Sequence, residues 1–272
     1  SNGALPKKCQ ELGIKIHWKS TVVNTDGYKK INRIHIMNLS KDNSSVIGDK
    51  VKINCDLLCV SGGYTPAIHL FTQSGGKLAY NEQKHYFYPK TNYLNQISIG
   101  SCNGTFGVKN IISETQKKTN EFLNINQDER FNILEPNGSD FENIWLLPTD
   151  KISGKTKSFV DYQNDSTAND IKLALREGFK SIEHVKRYTT TGMATDQGKI
   201  ANMHALGIIS EITNTKLGEL GTTTFRPPYS PITFGALVGR NVGQFFDITR
   251  KTPMHNWHEK NNAKFEDVGQ WK

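Results

Sequence analysis

Residues 159–199, FVDYQNDSTANDIKLALREGFKSIEHVKRYTTTGMATDQGK, decide how this chain is to be read. Thr167 followed three residues later by Asp170 is a capping-box start. The helix it opens carries Ile171, Ala174 and Leu175 on one face, with Gly178 just past its end. Ser181 caps a second helix carrying Ile182, Val185 and Tyr188. After Thr189-Thr190-Thr191-Gly192 and Asp196-Gln197-Gly198, a third helix carries Ile200, Met203, Leu206 and Ile209. The expectation is a compact helical module of about 50 residues.

Downstream, Gly221-Thr222-Thr223-Thr224-Phe225-Arg226-Pro227-Pro228-Tyr229 reads as extended, because prolines exclude helix and bias preceding residues toward β or polyproline geometry. Upstream, residues 110–123 read as a helix and 134–157 as an extended linker with Pro136, Pro148 and Gly154. The first hundred residues read as strand-rich. A helix over 6–12 closes at Gly13, and Ile14-Lys15-Ile16-His17-Trp18 alternates like a strand. A strand over 31–37 returns through the polar turn at 41–45 to a partner at 51–53. Cys55-Asp56-Leu57-Leu58-Cys59-Val60 is a continuous apolar run of the kind buried on both faces of a parallel sheet. It stops at Ser61-Gly62-Gly63, a glycine pair that lets the backbone pass close to a neighbouring group. A further strand, Ile97-Ser98-Ile99, ends at Gly100.

A length of 272 residues suggests roughly two domains, and 36% hydrophobic with 10% aromatic residues supports a real core. The net charge of +8 is scattered in short runs such as Lys29-Lys30, Lys117-Lys118 and Lys186-Arg187, which argues against nucleic acid as a partner. No apolar stretch approaches the roughly 18–20 residues that span a bilayer, and no signal-peptide pattern opens the chain. Four cysteines do not make a disulfide framework at this length. Cys55 and Cys59 on one strand would stand about 13 Å apart, too far to bridge, and read as small buried hydrophobes. A reduced, cytoplasmic protein is expected.

The module sequence followed by GTTTFRPPYSP resembles the α subunit of heterotetrameric sarcosine oxidase. CDLLCVSGGYTPAIHL and ISIGSCNGTF resemble that subunit's version of a two-dinucleotide-binding-domain reductase fold. RKTPMHNWHEKNNAKFEDVGQWK resembles the start of its aminomethyltransferase-like, folate-binding domain. The resembled subunit is several times longer. It carries upstream a G-x-G-x-x-G turn, which sets a pyrophosphate on a helix N-terminus and has no counterpart here. An internal fragment is therefore expected.

The resemblance implies an α/β and α+β fold: the C-terminal part of a two-dinucleotide-binding-domain (disulfide-reductase-like) fold plus a small helical module. Residues 1–106 would belong to the reductase-like domain, 107–157 to a helix and linker, and 158–213 to the module. Residues 214–249 would be an extended connector and 250–272 the start of the folate domain. In such a fold Gly62, Gly63, Gly100, Ser101, Asn103, Gly104 and Thr105 would border an NAD site. Disulfide reductases usually carry Asp after the strand-end Gly, where Ser101 stands here. The same residues also suit an ordinary strand-to-helix turn.

The module resembles the bacterioferritin-associated ferredoxin (BFD) type, which holds a two-iron, two-sulfur cluster by four cysteines. The corresponding positions are approximately Asp161, Gln163, Asp196 and Ala201, and no cysteine remains in the module. An iron–sulfur cluster is therefore excluded on ligand grounds, and a docking role against the β subunit is expected. There FMN would lie at the α/β interface, with Thr190, Gln197 and Arg226 as contacts; Arg187 and Lys199 are further basic residues able to pair with phosphate. Helix capping and a β-rich linker explain the same threonines equally well. His255 and His258 flank Trp257 but lack a third ligand, so a metal is not expected. The remaining histidines have no Ser or Cys nucleophile context.

The implied enzyme oxidises the methyl–nitrogen bond of sarcosine. Hydride passes to FAD on β, electrons go through FMN to oxygen, and the one-carbon unit goes to tetrahydrofolate. Its partners are β, γ and δ subunits, with neither nucleic acid nor membrane. This chain would supply nucleotide binding and docking, without acid, base or nucleophile. Two alternatives stand beside it. One is the α subunit of a related amine or imino-acid dehydrogenase, disfavoured by the Cys-free module and the FEDVGQW tail. The other is a non-enzymatic interaction module.

Overall fold

The computed structural model describes residues 4–91, 94–127, 131–133, 143–151, 157–240, 243 and 248–271. They divide into two units, Ser1–Ser230 and Pro231–Lys272. The division falls inside the 214–249 connector.

Unit one opens with helix α1 (Ala4–Glu11) and a meander of strands β1 (Ser20–Gly27), β2 (Ile31–Leu39) and β3 (Val46–Asn54), all antiparallel. Cross-strand pairs such as Val22–Ile36 and Ile34–Ile53 hold the register. Gly27 permits the β1–β2 turn: an added Cβ would overlap the Lys30 carbonyl. A short helix α2 (His69–Gln73) precedes the hairpin β4 (Lys77–Asn81) and β5 (Tyr86–Thr91). Helix α3 (Val108–Leu123) matches the expected span closely. The segment 143–151 is tied to the meander by Lys50 to Asp150 and Lys151 to Asn24, each at 2.6 Å.

The core lies in the helical module. A small hairpin, β6 (Phe159–Asp161) and β7 (Ser166–Thr167), leads into α4 (Ala168–Arg176), α5 (Ile182–Thr189), α6 (Ala201–Thr213) and α7 (Leu217–Leu220). The capping box forms: Thr167 Oγ1 accepts from the Asp170 N–H, and the Thr167 N–H donates to Asp170 Oδ2 at 2.7 Å. Gly178 adopts φ +96° directly after α4. Ser181 stands at the N-cap of α5 with its hydroxyl uninvolved; its carbonyl accepts from His184 and Val185. Ile171, Val185, Leu206, Ile208 and Ile209 are fully buried. Each such side chain contributes roughly 1.5–3 kcal/mol of transfer free energy. Ile68 and Phe87 enter the same cluster from the preceding segment, and Trp145 packs on its edge.

Several strand expectations are overturned. Ile14–Trp18 is irregular, and the strand begins instead at Ser20. Cys55–Val60 forms no strand: β3 stops at Asn54, and Leu57 and Val60 are 73% and 80% exposed. An apolar run becomes a buried strand only with strands on both sides, and among the described residues none pairs with it. Cys55 and Cys59 are accordingly half-buried and exposed rather than core residues. Ile97–Ile99 is extended but unpaired and runs into a 3₁₀ turn at Gly100–Asn103. Ile200 and Tyr188 are largely exposed, whereas Leu206 and Ile209 are buried as expected. Most of 134–157 lies outside the described residues.

Unit two contains α8 (Phe234–Val238) and α9 (His255–Lys260). His255 is buried and stacks on Phe265 with ring centroids 4.4 Å apart. Among the described residues no group of three or more His, Cys, Asp or Glu is placed to hold a metal, and no helix is long and apolar enough to cross a membrane.

Candidate functional site

The turn expected to face a nucleotide is built from Gly100, with φ +73°, and Gly104, with φ +79°. The Gly100 N–H donates to Glu114 Oε2 at 2.7 Å and Asn103 Nδ2 donates to Glu114 Oε1 at 2.6 Å. The Thr105 N–H closes onto the Gly100 carbonyl at 3.0 Å, and the Tyr86 hydroxyl donates to the Gly104 carbonyl. Burial pushes the Glu114 carboxyl up, but the bonds from Gly100, Asn103 and Thr105 outweigh it and hold it below its ordinary value. A carboxylate on α3 therefore occupies the donors of this turn. Ser101 is the exposed hydroxyl left at its rim. Gly62 lies elsewhere, against the His204 imidazole of α6, and Gly63 sits in open space with φ +99°.

Thr190 and Gln197 lie in one loop, whose anchor is Asp161. This carboxylate is 3% exposed. Its Oδ1 accepts from the N–H groups of Gln163 at 2.9 Å and Asn164 at 3.0 Å, and its Oδ2 from the Gly192 N–H at 2.7 Å. Gln163 Oε1 accepts from the N–H and hydroxyl of Thr195 at 3.0 and 2.8 Å. Asp196 turns back on the N–H groups of Gly198 and Ile200 at the start of α6. Asp161, Gln163 and Asp196 thus fasten these loops by hydrogen bonds. Thr190 caps α5 in the left-handed region, φ 58°, and its carbonyl accepts from Asn164 Nδ2; Gln197 has φ 57°.

Gly192 and Gly198 are required here. Both have positive φ, and an added Cβ on either would overlap the Asn202 amide. We expect Gly198→Ala to lower the stability of the module by about 2 kcal/mol. A shift in urea midpoint, partly reversed by Asn202→Ser, would report it; an unchanged midpoint would refute the overlap.

Arg226 lies in a separate basic patch. Burial pushes the Lys186 ammonium pKa down, Glu183 pulls it up, and Arg187 and Arg226 push it down again. Glu183 is bound by Arg187 at 2.7 Å and by the Thr224 N–H at 2.5 Å. Glu183 thus meets Arg187 and Lys186, and Arg226 adds a third positive charge beside Lys186. Lys186 was visible in sequence only as half of a short basic run; its proximity to Arg226 required the fold.

A second feature had no sequence signal. His69, at the start of α2, is buried against Phe225, with centroids 3.9 Å apart, and Tyr229, 5.4 Å. Lys199 Nζ donates to the Tyr229 carbonyl and stands 4.1 Å from the centre of its ring. Burial, then the Lys199 charge, pushes His69 from 6.5 down to about 4. Beside it is a cleft of about 30 Å³ lined also by Asn202, Phe87 and Met203. It accommodates one or two waters or one small functional group, and no dinucleotide. Because the folded state binds fewer protons than the unfolded chain between pH 4 and 6.5, stability must rise with pH across that window. Denaturation midpoints measured at pH 7 and 5 should show this loss on acidification, and His69→Phe should flatten it.

The described sheets and helices define a mixed α/β scaffold. A crystal structure of L-proline dehydrogenase from P. horikoshii superposes with TM-score 0.57 over 87% of this chain and 48% of that one, at 18% identity, which speaks for the fold alone. Residues 155–240 match the sarcosine oxidase A3 domain family. The chain is a homologue of part of sarcosine oxidase subunit alpha. It is 35% identical over 270 residues to that of Corynebacterium sp. (strain P-1), covering 96% of this chain and 28% of that one. To that of Rhizobium meliloti (strain 1021) it is 33% identical over 266 residues, covering 93% and 25%. The chain therefore spans little more than a quarter of the relatives it matches.

Proposed function

We propose that this chain is part of the α subunit of a sarcosine oxidase complex. That complex oxidatively demethylates sarcosine in the cytoplasm and transfers the one-carbon unit to tetrahydrofolate. The observation that carries this reading is 35% identity sustained over 96% of the chain. Its partners are the β, γ and δ subunits. FAD on β accepts the hydride of the oxidation, and the folate site belongs to sequence beyond this segment.

The segment itself binds and positions. Residues 1–106 form part of a two-dinucleotide-binding-domain fold. The Gly100 turn fits the ribose of NAD better than its pyrophosphate: Ser101 presents a hydroxyl, while Glu114 takes up the N–H and amide donors a phosphate would need. Gly62, beside His204 of α6, and Gly63 stand apart from this turn and are left out of the nucleotide site. The module, 158–213, docks on β as a scaffold without a cluster, its loops fastened through Asp161 and Gln163. The basic patch at Arg226 and Lys186 suits the phosphate of FMN, while Thr190 and Gln197, in a separate loop of the module, would offer polar contacts elsewhere on the interface.

Co-expression with a candidate β subunit, co-purification and a flavin absorbance spectrum test this. A flavin-containing complex bleached by sarcosine is expected, with lower flavin occupancy in Arg226→Gln. A folded chain that captures neither β nor flavin would favour a stand-alone interaction module.

A further inference from the structure

The cleft beside His69 has a chemistry that neither docking nor the Gly100 turn uses. Both ring nitrogens of His69, a residue 6% exposed, have no hydrogen-bond partner among the described residues. Asn202 Nδ2, on a residue 7% exposed, is likewise unpartnered. Both side chains line the one cleft. Leaving such groups unpaired costs about 1–3 kcal/mol each, so their convergence on a space that admits a small functional group points to an occupant.

The lining defines what that occupant is. Among the described residues of the lining, Lys199 is the single cation, its ammonium also donating to the Tyr229 carbonyl; none is acidic, and Phe87, Met203 and Leu206 supply apolar wall. Donors plus one positive charge select an acceptor-rich monoanion. A phosphate dianion would leave a charge unmatched in partly apolar surroundings, whereas a carboxylate is matched by one ammonium. The apolar wall gives a short hydrocarbon tail somewhere to pack.

We propose that this cleft binds the carboxylate end of a small aliphatic acid. Its oxygens meet the Lys199 ammonium and the Asn202 amide, one His69 nitrogen donates to it, and its tail lies along Phe87 and Met203. The site is independent of the sarcosine oxidase reading, since every group in it belongs to this chain.

Ligand-observed saturation-transfer NMR on the purified protein tests it, with butyrate, 1-butanol and inorganic phosphate as probes. Butyrate is expected to saturate in the millimolar range. Its affinity should fall about tenfold or more in Lys199→Met, persist in Lys199→Arg and be unchanged in Lys172→Met, an exposed lysine outside the cleft lining. If Lys199→Met does not fold, Lys199→Gln set against Lys199→Arg makes the same comparison. Butyrate that never saturates, butanol binding as well as butyrate, equal affinity in the charge-removing variants, or saturable binding of phosphate alone would each overturn the assignment.

Discussion

Asp161→Asn is expected to cost the helical module about 3 kcal/mol and to free the loop at 189–198. The carboxylate accepts three backbone N–H groups, two on Oδ1 and one on Oδ2. An amide of the same shape offers one oxygen and one NH₂. Whichever way it is turned, an NH₂ faces either the Gly192 N–H or the pair from Gln163 and Asn164, donor against donor. A buried donor left unsatisfied costs about 1–3 kcal/mol, and more where the lost partner was charged. The measurement is the urea midpoint together with amide hydrogen exchange at Gly192. Protection there should drop sharply while Ile208 and Ile209, in the core of α6, remain protected. A wild-type midpoint with an unchanged Gly192 exchange rate would show that Asp161 is not the anchor.

The second large effect is Gly207→Ala. Glycine inside a helix is ordinarily worse than alanine by about 1 kcal/mol, so intrinsic propensity alone predicts stabilisation. The packing predicts the opposite. The indole of Trp145 lies directly against Gly207, and an added Cβ would overlap it. The Trp145 backbone also bonds Glu211 one turn further along α6, so the tryptophan cannot slide away freely. Overpacking of this kind costs about 1–3 kcal/mol, and displacing the indole uncovers part of the core edge; a net loss of about 2 kcal/mol is expected. A double-mutant cycle decides between the effects. In a Trp145→Ala background Gly207→Ala should become neutral or stabilising, because only the propensity term is left. A loss of equal size in both backgrounds would place its cause elsewhere.

The helical module was legible because its signals are local. Thr167 and Asp170 are three residues apart, Gly178 follows the last turn, and Ile171, Ala174, Val185, Leu206 and Ile209 recur at helical spacing. Each of these is read within one or two turns of chain. Strands β2 and β3 of the meander were legible for the same reason, through short alternating runs and a polar turn, whereas β1 was misplaced at Ile14–Trp18. Cys55–Val60 and Ile97–Ile99 were misread because an apolar run specifies burial without specifying which strands lie beside it. Hydrophobicity is non-directional, whereas a sheet needs neighbours on both sides.

The candidate site divides along the same line. Gly100, Asn103 and Thr105 were recognisable as a turn, but the sequence could not say that Glu114, eleven residues beyond Asn103, fills its donors. Thr190 and Gln197 were placed in a loop correctly, while Arg226 approaches Lys186 from 40 residues away in the chain. His69 and Asn202 lie more than 130 residues apart and carry no shared pattern.

Amino-acid order alone determined the capped helices, their buried faces and the Cys-free character of the module, since propensity, capping and periodicity act within a few residues. Only the tertiary structure decided which carboxylate meets which amide, that Asp161 stands where three N–H groups converge, and that the His69 ring nitrogens and Asn202 Nδ2 are buried together without partners among the described residues. Hydrogen bonds reach about 3 Å and discriminate by direction, so their pairing is set by chain segments brought together from far apart, which no local reading can supply.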